Sequence, residues 1–284
     1  MEMNAQINEP QKAVYSEYVN RLLNVRGSQS EDASAADQLL FLRDQALARP
    51  NGTFLELGTW QGQATKVMLN ALNGARGTLV SVDIEDCRDA GAGPNWQFVQ
   101  SDSKDDATVL AHAPVLKDGI DLVYVDGLHT VAQVYAEIKA WFPLVRQGGM
   151  IVFDDVDPTP YMCGHRKDSA RKEIANRAMA TLLTAVFYEN MDRLRMEMKL
   201  GSTGLAIWTK TSEIGSELRA YRPMTHPRHE HQLADLHDDL REHKPYKHTE
   251  ADQVTLIPMD ASQSPVGVKP CDSGQPVPFG RSPR

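Results

Sequence analysis

IDLVYVDGLHTVAQVYAEIKAWFPLVRQGGMIVFDD, residues 120–155, carries the architecture of this chain. It opens on an apolar run, IDLVYVDG, that reads as a strand. A helical segment follows, TVAQVYAEIKAWFPLVRQGG, expected to stop at Gly148 and Gly149. The stretch closes on a second apolar strand, MIVFDD. Both strands are apolar almost without a break, as strands covered on two faces are. Strand, helix and strand in that order make a parallel crossover unit. The second strand ends in Asp154 and Asp155, with Asp157 close behind. Neighbouring carboxylates repel, and burying them unpartnered is costly, so something at that edge should receive them.

The same alternation runs outward from this unit. Upstream, TFLELG reads as a strand and QATKVMLNALNG as a helix ending at Gly74, a C-cap. GTLVSVDI and WQFVQSDS read as two more strands, followed by the short helix DATVLAHAPVL. Downstream, DSARKEIANRAMATLLTAVFYE reads as a helix, and LRMEMKLG and TGLAIWTK as strands joined by a short turn, GST. A tight turn implies an antiparallel pair closing the sheet edge. The expected fold is α/β: a doubly wound, mostly parallel seven-stranded sheet at residues 50–210. Residues 1–49 are read as a helical segment, a substrate lid or a homodimer contact. In it AVYSEYVNRLLNV sets Val14, Tyr18, Leu22 and Val25 on one face, and a second helix is stopped by Pro50. Residues 211–284 form a polar extension rich in His and Pro, holding six of the nine histidines and ending in a tail read as disordered. His226, His229 and His231 within it have the spacing of a soft-metal site, but a solvated polar segment is the plainer reading.

Composition narrows the function. The chain has 284 residues, 41% of them hydrophobic, enough for one substantial core. A net charge of -8 disfavours nucleic acid or an anionic membrane as partner. No apolar run is long enough to span a bilayer, and no secretory signal is read at the N-terminus. Three dispersed cysteines, Cys87, Cys163 and Cys271, without a CxxC pair, suit a reduced, cytoplasmic protein.

In open parallel sheets, ligands bind beyond the carboxyl ends of the strands. The first strand ends LELGTWQGQAT, where Gly58 and Gly62 flank a loop entering a helix. The spacing is not GxGxxG, so a dinucleotide pyrophosphate is poorly supported. Glu56 would repel a pyrophosphate but could pair with a cationic amine. Asp83, ending the second strand, is placed to bind two ribose hydroxyls. Asp102 and Ser103, ending the third, could read an exocyclic amine. Taken singly, the glycines suit any strand-to-helix turn and Asp83 any solvated loop. Taken together, they suit a ligand with an amino group, a ribose and an adenine but no phosphate. S-adenosylmethionine has those parts.

FLELGTWQGQAT, LVSVDI, FVQSDS and the stretch 120–155 resemble the class I S-adenosylmethionine-dependent methyltransferases, whose fold is Rossmann-like. The D-G-x-H at Asp126 to His129 narrows the resemblance to methyltransferase family 24, related to catechol and macrolide-sugar O-methyltransferases and to cephalosporin-hydroxylase-like methyltransferases. The resemblance covers about residues 50–210. It implies methyl transfer to a hydroxyl of a small molecule. The cofactor site would comprise Glu56, Gly58, Trp60, Gly62, Asp83, Asp102 and Ser103. In metal-dependent relatives, acids ending the fourth and fifth strands bind a divalent cation, usually Mg2+; here these are Asp126, Asp154 and Asp155. An all-oxygen, carboxylate-rich site suits such a hard cation, although the acids could equally face solvent. Asp126 and His129 are the candidate catalytic residues, His129 either taking the acceptor's proton or ordering its loop. Tyr161, His165 and Arg166 follow the fifth strand where a substrate lid would sit, or a plain connecting loop. The rival readings are a metal-independent O- or N-methyltransferase with His129 as base, and a non-catalytic binder of an adenosyl ligand.

Overall fold

A computed structural model describes residues 9–26, 31–162 and 170–221. Cys163, His165, Arg166 and residues 222–284, with the tail histidines, lie outside the described residues. In chain order the elements are α1 (Glu9–Val25), α2 (Glu31–Leu47), β1 (Thr53–Leu57), α3 (Gln63–Ala71), β2 (Thr78–Asp83), β3 (Trp96–Gln100), α4 (Asp106–His112), β4 (Ile120–Val125), α5 (Val131–Trp141), β5 (Val145–Phe153), α6 (Thr159–Met162), α7 (Ala170–Glu189), β6 (Leu194–Lys199) and β7 (Leu205–Lys210). They build a seven-stranded sheet in the order β3-β2-β1-β4-β5-β7-β6. β1 to β5 run parallel, while β7 pairs antiparallel with both β5 and β6. The strand order reverses between β1 and β4, which opens a crevice at their carboxyl ends.

The central strands are buried on both faces, and their alternation sorts side chains between two cores. Leu55, Leu57, Val80, Val82, Val123, Val125 and Ile151 point to the layer that includes α5 and α7, through Val134, Ile138, Trp141, Leu182 and Val186. Phe54, Leu79, Leu122, Tyr124 and Val152 point to the opposite layer, with Val67 and Met68 of α3, Leu40 of α2 and Val19 of α1. The N-terminal helices therefore cover one face of the sheet as part of its core. Leu40 is completely buried, which a detachable lid would not require.

Three local expectations need correction. The buried stripe of α1 centres on Tyr15 and Val19; Tyr18 and Leu22 of the expected face pack beside them, whereas Val14 is 54% exposed. Tyr15 sets this rotation, because its hydroxyl donates to Ala92 O at 3.1 Å and accepts from Ala92 N at 2.7 Å. The helix α5 ends at Trp141, well before Gly148 and Gly149. Pro143 has no N–H with which to continue the helical ladder, and Val145 already belongs to β5. The two glycines instead sit in a bulge, where pairing with β4 jumps from Ile120↔Val145 to Leu122↔Met150. Finally, β6 and β7 are joined by the five residues 200–204 rather than by a three-residue turn.

Candidate active site

Beyond the carboxyl ends of β1, β2, β4 and β5 lies a cavity of about 790 Å³. Residues from α2 and from the β6–β7 loop complete its wall.

Its first half is built on β1 and β2. Gly58 has φ +94°, and a Cβ there would stand 2.3 Å from Asp126 O, so only glycine lets the ends of β1 and β4 approach. The following loop is held by Asp83, whose Oδ2 accepts from the N–H of Thr59 at 2.8 Å and of Trp60 at 2.9 Å. Its Oδ1 accepts from Glu85 N at 2.9 Å. Burial opposes the charge on Asp83, but the N–H groups of Trp60, Glu85 and Thr59 outweigh it and hold the carboxyl below its ordinary value. Trp60 is 71% exposed at the cavity rim. Gly62 is not a lining residue; it starts α3 at φ +69°, where a Cβ would meet Ala90 at 2.7 Å. Its conformation serves packing beneath the loop.

Glu56 faces this half from inside β1 and is 1% exposed. It accepts from Thr65 Oγ1 at 2.6 Å and from Ser81 Oγ at 2.5 Å, the latter hydroxyl accepting in turn from Trp96 Nε1 at 2.9 Å. Burial nevertheless pushes its carboxyl up to about 7. Further along, Gln133 Nε2 lies 3.0 Å from both Asp102 Oδ1 and Ser103 Oγ. Ser103 also donates to Glu137 Oε1. Asp102 is held below its ordinary value by the Gln133 amide first, then by Lys104.

The second half is the acid wall. Tyr124 lies beside Glu56 in the β1–β4 register and points its hydroxyl between two carboxylates, 2.7 Å from Asp154 Oδ2 and 3.1 Å from Asp126 Oδ2. His129 occupies the other gap, with Nδ1 3.5 Å from Asp155 Oδ2 and Nε2 3.8 Å from Asp126 Oδ1. Depth and then repulsion from Asp154 and Asp155 raise the Asp126 carboxyl well above its ordinary value. Its side chain keeps 39% exposure to the cavity, which tempers the cost of its charge. Asp155 is raised by burial and by Asp154. The donors are those a hard cation prefers. Among the described residues, however, no group of three or more His, Cys, Asp or Glu side chains is drawn together closely enough to hold a metal ion. As the chain stands, hydroxyl and imidazole groups fill the gaps between the expected ligands.

Asp157 takes no part in this wall. It is 3% exposed and braces the β6–β7 loop, its Oδ2 accepting from Gly201 N at 2.9 Å. Tyr161 is buried in α6 and does not line the cavity, because the turn at Pro158 carries it into the core. Sequence reasoning missed Tyr124, Gln133, Gln38, Ser202 and Thr203. All five line the cavity. Three non-glycine residues among those described have positive φ: Trp60 (44°), Asp155 (57°) and Ser202 (56°). All three line the cavity, where strained backbone is commonly retained for function. No described helix is long and apolar enough to cross a membrane.

Residues 55–156 match the methyltransferase family 24 model, described as a methyltransferase domain. Among curated proteins, the uncharacterized protein R132 of Acanthamoeba polyphaga mimivirus is 28% identical over 115 residues, 36% of this chain and 51% of that one. Similar solved structures include the MycE methyltransferase of mycinamycin biosynthesis with Mg, S-adenosylhomocysteine (SAH) and mycinamycin VI, at 20% identity, TM-score 0.47, 73% of this chain and 57% of MycE. The SAH-bound methyltransferase PaMTH1 of Podospora anserina is 15% identical, with TM-score 0.49, 75% of this chain and 100% of PaMTH1. TomG of Streptomyces achromogenes, an O-methyltransferase solved with S-adenosylmethionine, is 17% identical, with TM-score 0.44, 74% of this chain and 93% of TomG. The chain spans about half the length of the curated relative it matches. Over residues 55–156, the chain is thus similar to a methyltransferase domain.

Proposed function

We propose that this protein moves a methyl group from S-adenosylmethionine to a hydroxyl of a small molecule. The observation that carries the reading is one cavity with two unlike halves. One half pairs a glycine-bordered loop with Asp83 and the buried Glu56; the other gathers Asp126, Asp154, Asp155 and His129. In the first half, Asp83 binds the ribose hydroxyls and Glu56 the ammonium group. The rim formed by Trp60, Asp102 and Ser103 holds the adenine. In the transfer, the acceptor oxygen bonds to the methyl carbon as the sulfur–carbon bond breaks, its electron pair staying on sulfur. The acceptor's proton goes to a base, a role we assign to His129, whose buried Nε2 has no hydrogen-bond partner among the described residues.

If Asp126, Asp154 and Asp155 drew closer together than they stand, they would be the residues to hold Mg2+, which would neutralise their repulsion and acidify an acceptor hydroxyl. A metal-independent reaction is the second reading, favoured by the Tyr124 hydroxyl already set between Asp126 and Asp154. A screen of small-molecule alcohols with methyl-labelled S-adenosylmethionine, with and without chelator, tests both. Labelled ether formed only without chelator supports the magnesium reading. Label in excess chelator, lost in His129→Ala, supports the second. No binding of S-adenosylmethionine or SAH by calorimetry refutes the proposal.

A further inference from the structure

The reading above leaves the β6–β7 loop without a task. We propose that Ser202, presented by this loop on a brace from α2, is an acceptor-binding residue. Its hydroxyl takes a second, uncharged oxygen of the acceptor beside the hydroxyl that is methylated. The inference rests on the proposed O-methyl transfer.

Ser202 is 5% exposed, and its Oγ is buried without a hydrogen-bond partner among the described residues. The groups around it are partnered. Gly201 N donates to Asp157 Oδ2 at 2.9 Å, and Gly201 O accepts from Gln38 Nε2 at 3.3 Å. Thr203 Oγ1 donates to Asp154 Oδ1 at 2.7 Å and lies 3.3 Å from Gln38 Oε1. The loop is thus pinned to β5 and α2, and its orphan hydroxyl does not come from looseness. Ser202 also has φ +56°, in a loop whose other positive-φ positions, Gly201 and Gly204, are glycine. A serine there bears backbone strain and an unmade hydrogen bond, and among the described residues nothing uses its side chain.

Its position indicates what would use it. Ser202 and Gln38 line the cavity, and the residue after Ser202 touches Asp154. An oxygen bound by Ser202 therefore lies on the acid-wall side of the cavity, where the second oxygen of a vicinal diol would fall if its neighbour were held by the acids. Asp154 and Asp155 would repel a carboxylate or phosphate at that point, so the second group is a neutral hydroxyl or carbonyl.

The test compares catechol with phenol, and a vicinal cyclohexane diol with cyclohexanol, using methyl-labelled S-adenosylmethionine and full-length protein. Wild type should favour each diol over its mono-alcohol by about tenfold or more in kcat/KM, because a site built to bind a hydroxyl discriminates against its absence. Ser202→Ala should cut this preference to about twofold through a higher KM for the diols, with SAH affinity and thermal stability maintained or raised, since an unsatisfied polar group is removed. Ser202→Gly should lose the preference likewise while also relieving the backbone. A preference that survives both substitutions overturns the inference. So does a wild type that treats the pairs alike, or one that binds SAH yet methylates none of the four alcohols. Failure to bind SAH would instead remove the proposed function on which it stands.

Discussion

Replacing Glu56 by Gln isolates the energetics of a carboxyl buried in the middle of a sheet. Its folded-state value is about 7 against an ordinary 4.5. At about 1.4 kcal/mol for each tenfold change in proton affinity, ionising it in place costs roughly 3 kcal/mol. The sign follows from proton counts: between those two values the folded chain holds a proton that the unfolded chain has released. Wild-type stability should therefore fall as pH rises from 4.5 through 7 and then level off. Gln has no proton to lose. It keeps one oxygen for Thr65 and Ser81 but brings a buried N–H2 group without an acceptor, a penalty of about 1–3 kcal/mol that does not vary with pH. The neighbouring acids titrate in both proteins, so to first order they cancel in the difference. Urea unfolding at about pH 4.5, 6 and 8 should show the variant gaining on wild type by roughly 3 kcal/mol across the series. A difference between the two proteins that stays constant with pH would refute the reasoning. The same variant should bind SAH more weakly above pH 7, where only the wild type offers a carboxylate to the ammonium group.

Asp83→Ala frees the N–H groups of Thr59 and Trp60 and removes the expected ribose ligand. Calorimetry should show SAH affinity falling about tenfold to a hundredfold, the equivalent of losing charge-assisted hydrogen bonds of about 1.5–3 kcal/mol; unchanged affinity would place the ribose elsewhere. Leu40→Ala, in a helix read from sequence as a lid or subunit contact, should cost about 2–5 kcal/mol in urea unfolding, because Leu40 is fully buried against the sheet.

The first, second, fourth and fifth strands were legible because each is an apolar run ending at an acid or glycine, and a parallel sheet leaves few other patterns. Asp83, Asp126, Asp154 and Asp155 could be found for the same reason: they are the first charges after such runs. Tyr124 had a faint signal, the one hydroxyl inside IDLVYV, two residues before Asp126 and so on the same face of the strand. Gln38 and Ser202 had none. They belong to segments 164 positions apart, and no periodicity announces that Gln38 will meet the neighbours of Ser202. Nor can a serine announce a left-handed backbone as glycine does. The face of α1 was misjudged because two overlapping stripes satisfy helical spacing. The choice between them came from the bond of Tyr15 to Ala92, a distant partner. Asp157 read as a member of the acid cluster, but the strand stops at Phe153, the chain turns at Asp155 with φ +57°, and Asp157 faces the loop it braces.

The bond between Gln38 and the β6–β7 loop also has a meaning in time. A chain made from its N-terminus completes β1 to β4 and α5 while Gln38 still lacks its partners, which lie 163 and 165 residues further on. Domains tend to fold as their segments emerge. The half of the cavity assigned to the methyl donor can thus take shape on the ribosome, while the far wall must wait for the last strand. An unfinished chain could hold a donor, but it would have no surface on which to choose what receives the methyl group.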